Sequence, residues 1–183
     1  MTRSILGGLA IAIALAGTPL VSAAQPKPSI PERTGVNSTL GIAPSTQDFV
    51  TQAAISDMAE IESSKLAVTK TDGKTKAFAE KMIKDHTETS MELKGLVSGG
   101  KVRATLPTEM DAAHKSTIDK LKALSGASFA KEYDDMQVAA HKDAVSLFER
   151  YANGGENAEL KAFAAKTLPH LQMHLKMAED LRK

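Results

Sequence analysis

Cysteine and tryptophan are missing from all 183 residues, and aromatic side chains make up only 4% of them. Without cysteine there are no disulfides, no thiolate metal ligands and no cysteine nucleophile, so the core alone must hold the domain together. The scarcity of aromatics removes the stacking platforms used by sugar-binding surfaces and peptide grooves. Charge of one sign is lacking too: 23 basic residues face 22 acidic ones. That argues against nucleic acid as a partner, because phosphate binding needs a basic surplus on one face. Serine-nucleophile arrangements, phosphate-cradling glycine loops and zinc-protease motifs do not occur either. No segment sustains the period-two alternation of a half-buried strand, which leaves an all-α fold.

Long apolar runs are also in short supply. The one that exists, Ile5–Ala16, contains two glycines and falls short of the roughly 20 residues a spanning helix needs. It follows Arg3 and precedes the small residues Val21-Ser22-Ala23-Ala24, the layout of a cleaved secretory signal over residues 1–24. The mature protein is therefore expected in the periplasm or outside the cell, with no integral membrane span. Residues 25–44 carry four prolines and no helical period, which predicts a flexible tether of no fixed structure. Residues 45–183 then make one domain of ordinary size.

What this domain has in abundance is helical periodicity. Ser45 with Asp48 reads as a helix start, and Val50, Ala54, Met58 and Ile61 follow on one face up to a break at Gly73. A second helix is expected over about residues 74–97, a shorter one over about 108–124 and a long one over about 129–153 with Ser128 as N-cap. The last is expected over about 158–181. Helices of about 24 residues reach about 36 Å, and each apolar stripe is wide enough for a bundle core. The glycines at 73 and at 154–155 mark short turns between antiparallel pairs, whereas the middle connection is long and partly helical. The pattern predicts a ferritin-like four-helix bundle with a long helical crossover between helices 2 and 3.

Several ionisable residues occupy positions where this pattern calls for apolar ones. At about 100° per residue, His86, His141 and His174 fall within the apolar arcs of the second, third and fourth long helices. Glu60 lies at the edge of the first arc and Asp57 inside it, Asp85 flanks His86, and His170 sits at the edge of the last arc. Glu60, His86, His141 and His170 all lie about 13 to 15 residues from a connecting glycine, hence at about one depth. Imidazoles and carboxylates converging at mid-bundle are how such bundles build metal sites, and this donor set suits one iron, zinc or copper ion. Glu60, His86, His141 and His174 are the expected ligands; Asp57, Asp85 and His170 form a second rank, with Asp85 also able to orient an imidazole. Each histidine taken singly reads first as a core residue hydrogen-bonded to a carbonyl or water, and it is their coincidence at one level that points to a metal. Pro169, inside the last helix, removes one backbone bond and presses on the carbonyl of Ala165, which re-aims the segment carrying His170 and His174.

The blocks "FVTQAAISDMAEIESSKLA", "FAEKMIKDHTETSMEL", "FAKEYDDMQVAAHKDAVSLFERYA" and "LKAFAAKTLPHLQMHLKMAEDL" together resemble the exported bacterial family called domain of unknown function 4142. The resemblance runs from Asp48 to Leu181. It implies an exported ferritin-like bundle, carries no settled activity, and singles out Glu60, Asp85, His86, His141, Pro169 and His174. The Glu-x-x-His pairs of di-iron bundles are absent, since Ile83 and Leu171 stand three residues before His86 and His174. Three functions fit these residues: a metal-binding protein for metal handling or stress tolerance, a metal-free structural or interaction module of the envelope, and a metal-dependent oxidoreductase.

Overall fold

The computed structural model describes residues 25–183 except residue 34, so the signal segment expected over residues 1–24 lies outside the described residues. Seven helices follow in order: α1 (Ile30–Arg33), α2 (Val36–Thr39), α3 (Thr46–Lys70), α4 (Gly73–Ser98), α5 (Ala112–Ala123), α6 (Gly126–Gly154) and α7 (Ala158–Leu181). There is no strand among the described residues, and none of their helices is long and apolar enough to cross a membrane.

The helix ends follow capping chemistry. Ser45 Oγ accepts the Asp48 N–H at 3.1 Å and opens α3, and Asn157 Oδ1 accepts the Leu160 N–H at 2.9 Å to open α7. Two expected boundaries move. The short helix begins after Asp111, whose carboxylate accepts the His114 N–H at 2.9 Å, rather than near residue 108. The α6 helix begins at Gly126, because the Phe129 N–H already bonds the Ser125 carbonyl at 3.3 Å; Ser128 therefore sits inside the first turn and is not the cap. The last helix runs unbroken through Pro169.

Contacts between helices fix their directions. Thr46 bonds Tyr151 and Ser64 bonds Tyr133, each at 2.8 Å, so α3 and α6 run antiparallel. Lys166 meets Glu92 and His174 meets Asp85, again at 2.8 Å, so α4 and α7 do likewise. With the tight turns α3–α4 and α6–α7, the order is up, down, down, up. Residues 99–125 must therefore climb the length of the bundle, and α5, which lies within them, packs against α3 and α6.

The apolar core is divided. One cluster holds Phe49, Phe148, Tyr151 and Phe163, with Phe49 4.9 Å from Phe148 and 4.3 Å from Tyr151 between ring centroids. The other holds Phe78, Met82, Phe129 and Tyr133. On every long helix a short polar stretch separates the two, and Glu60, Ser63, Gln137, His141 and His174 there are no more than 2% exposed. Each large buried side chain in the clusters stabilises the fold by about 1.5–3 kcal/mol. The polar belt contributes no such term.

The segment expected to be a tether is instead tied to the bundle. Glu32 receives both Arg150 Nη2 (2.6 Å) and Arg150 Nη1 (3.3 Å), and Asn37 Nδ2 donates to it at 2.8 Å. Ser29 N–H donates to Asp48 at 2.6 Å. Burial alone would raise the Glu32 pKa, but the hydrogen bonds from Arg150 and Asn37 and the guanidinium charge outweigh it and hold the carboxyl below its ordinary 4.5. Replacing Glu32 with Ala leaves Arg150 facing an empty site and should cost about 2 kcal/mol at neutral pH. Because the folded pKa is depressed, this stabilisation is complete above the unfolded value and fades as pH falls through the folded one. Urea denaturation of wild type and E32A checks this: the gap should narrow markedly toward about pH 3, and a gap independent of pH would contradict it.

Candidate metal centre

Three imidazoles meet where the two apolar clusters part. His86 comes from α4, His141 from α6 and His174 from α7, and their ring centroids lie 5.5, 5.5 and 5.6 Å apart. One nitrogen from each lies within 4.8 Å of the others. All three rings are buried, at 3%, 1% and 2% exposure. The stripe positions they occupy explain the convergence: each stands one turn from an apolar core residue of its own helix, Met82, Val138 and Leu171 respectively.

The outward nitrogen of every ring is tied to an acceptor. His86 Nδ1 bonds Asp57 Oδ1 at 2.8 Å, His141 Nδ1 bonds the Gln137 carbonyl at 2.9 Å, and His174 Nε2 bonds Asp85 Oδ2 at 2.8 Å. A carbonyl or an ionised carboxylate can only accept, so in each case the ring N–H points outward. The inward atoms, His86 Nε2, His141 Nε2 and His174 Nδ1, have no hydrogen-bond partner. In the neutral rings these are three lone pairs facing one another. Glu60, 1% exposed, adds two buried carboxylate oxygens that also lack partners. Its charge acts on both His86 and His141, although its oxygens fall outside the three-nitrogen group.

The acceptors are themselves anchored. Ser90 Oγ donates to Asp57 Oδ2 at 3.0 Å, and Lys81 Nζ donates to Asp85 Oδ2 at 2.7 Å. Burial pushes the His174 pKa down to about 4, against the opposing pull of Asp85, and burial likewise lowers that of His141. Burial opposes the charge on His86 as well, but the Asp57 bond and the charges of Asp57, Glu60 and Asp85 outweigh it and raise its pKa. Two rings are thus held neutral, and the third sits in a field that favours a cation.

The expected residues separate into groups. His86, His141 and His174 come together, with Glu60 buried in the same belt. Asp57 and Asp85 stand behind two of the rings, bonded to their outward nitrogens. His170 is exposed on α7, outside the cluster. Three further contributors have different degrees of visibility in the sequence. Lys81 is spaced i, i+4 from Asp85 and was readable as a helical pair. Ser90, a polar residue on the α4 stripe, is a weaker signal. The Gln137 carbonyl is backbone and leaves none.

The family model described as domain of unknown function (DUF4142) matches residues 31–181. No curated protein and no solved structure matches the chain.

A buried carboxylate with unmatched oxygens destabilises a metal-free fold in either protonation state. Exchanging Glu60 for Met, similar in bulk and apolar, should raise the stability of chelator-treated protein by about 1–3 kcal/mol. Urea unfolding in the presence of chelator measures it; a loss of stability would mean that Glu60 has a structural partner.

Proposed function

The chain belongs to the DUF4142 family, and from that premise we propose that it binds one transition metal ion at the centre of a ferritin-like four-helix bundle. His86 Nε2, His141 Nε2 and His174 Nδ1 are the nitrogen ligands and Glu60 supplies a carboxylate. The observation that carries this reading is a set of buried polar atoms without hydrogen-bond partners: one nitrogen of each imidazole and both Glu60 oxygens. One metal cation can satisfy such a group at a single point. Ligating nitrogens sit about 2.0–2.1 Å from zinc, which draws tetrahedral donors to about 3.4 Å of each other, so the rings close inward by about 1 Å on binding. Neutral imidazole with one carboxylate suits iron, zinc or copper. The Asp57 and Asp85 contacts then act as the outer bonds that fix ring orientation and ligand basicity. The up-down-down-up order with its long crossover supports the ferritin-like assignment.

The signal-like N-terminus supports a periplasmic or secreted location. The burial of all three rings supports a role in metal handling or stress tolerance rather than in rapid turnover of a large substrate. Protein purified without a histidine tag or chelator should carry about one metal ion per chain by plasma mass spectrometry. His86→Ala and His174→Ala should abolish it, and Asp57→Ala should weaken affinity about 10- to 100-fold while leaving all ligands in place. A wild-type protein that is metal-free and gains no thermal stability from added iron, zinc or copper would sink the proposal.

A further inference from the structure

A groove of about 300 Å³ runs along the α4–α7 face, and His86 and His174 are among the residues that line it. They are the two members of the triad carried by those helices. Exposure falls in steps toward them. His170 is exposed, the Asp85 side chain is 18% exposed, and that of His174 is 2% exposed. His170 stands four residues before His174, one turn away on the same face of α7. Asp85 joins the two levels, holding Lys81 Nζ at 2.7 Å and His174 Nε2 at 2.8 Å. The His174 ring is therefore the partition: one nitrogen faces the groove-side carboxylate, and the other belongs to the inner cluster.

We infer that this groove is the path by which a divalent cation reaches and leaves the centre, with His170 capturing it at the mouth and Asp85 passing it inward. The inference rests on the metal reading above. An ion loses its water in stages, and each lost water must be replaced by another donor if the barrier is to stay low. His170 and Asp85 supply a nitrogen and a carboxylate in that order along the descent. Lys81 is the ammonium that the ion displaces from Asp85. Across the rim, the Lys166–Glu92 pair (2.8 Å) bridges α7 to α4 and holds the two walls together. On the opposite side of the bundle, Ser56 lines a separate cavity that contains none of the three histidines.

The absence of cysteine makes the test clean. Thr89, half-buried in the groove wall, is replaced by Cys and modified after folding with a bulky maleimide; Ser56→Cys, treated in the same way, is the control. Uptake of cobalt(II) by metal-free protein is followed by its visible absorption in stopped flow, and release by adding chelator. Labelled T89C should take up and release cobalt at least about tenfold more slowly, with the final spectrum unchanged, because a plug alters rates in both directions and not the equilibrium. Labelled S56C and unlabelled T89C should match wild type, and H170A should slow uptake several-fold. Wild-type rates in labelled T89C would overturn the path while leaving the metal centre standing. Absence of any cobalt spectrum in the wild-type protein would overturn both.

Discussion

Everything at the middle of this bundle depends on one constraint: three histidine N–H groups are committed outward. Asp57, the Gln137 carbonyl and Asp85 each accept one of them. In the neutral rings that choice of tautomer leaves the inward nitrogens as acceptors, and none of them has a hydrogen-bond partner. Had any ring been reversed, it could have donated to a neighbour and the three would have formed an ordinary hydrogen-bonded core network. The acceptors behind the rings are fixed in turn by Ser90 and Lys81, so the orientation is set by the helices and not by the rings.

The belt would be costly if the rest of the bundle did not compensate for it. Two apolar clusters lie on either side, one around Phe49 and Phe148, the other around Phe78 and Tyr133. They supply the burial that the belt withholds and keep bulk water away from it at both ends. Fixed dipoles and charges in such a water-poor layer act more strongly than they would in solvent. This is visible in the opposite displacements of His86 and His174: the same burial acts on both, and the local carboxylates decide the outcome only at His86.

Much of this could be read from the residues. Periodicity located the four long helices, and the last, expected over about residues 158–181, runs over Ala158–Leu181. The inward placement of His86, His141 and His174 follows from counting about 100° per residue, whereas Glu60, which the structure buries to 1% exposure, was placed only at the edge of its arc. Which nitrogen points inward does not follow, because it depends on partners 29 and 89 residues away in the chain for His86 and His174. His170 was placed at the edge of an arc, where a few degrees of helix rotation decide between core and solvent. Ser128 was expected as the cap of α6, and the first backbone bond of the helix, from the Phe129 N–H to the Ser125 carbonyl, moves the start three residues earlier. Residues 25–44 looked unstructured because their anchor, Glu32 to Arg150, spans 118 positions, beyond the reach of any local pattern.

The polar contacts of the belt also have a topological effect. Asp57–His86, Ser64–Tyr133 and Asp85–His174 join positions 29, 69 and 89 residues apart, each closing a loop of a different size through the same layer. In a chain with no cysteine these are the nearest counterpart to covalent cross-links, and the entropy of closing such loops grows only slowly with their length. Each joins a different pair of long helices, α3 to α4, α3 to α6 and α4 to α7, so the layer is complete only when all four have docked. The middle of the molecule is consequently its most cooperative part: loosening α3 or α4 there opens two of the three loops together, whereas the ends can fray alone.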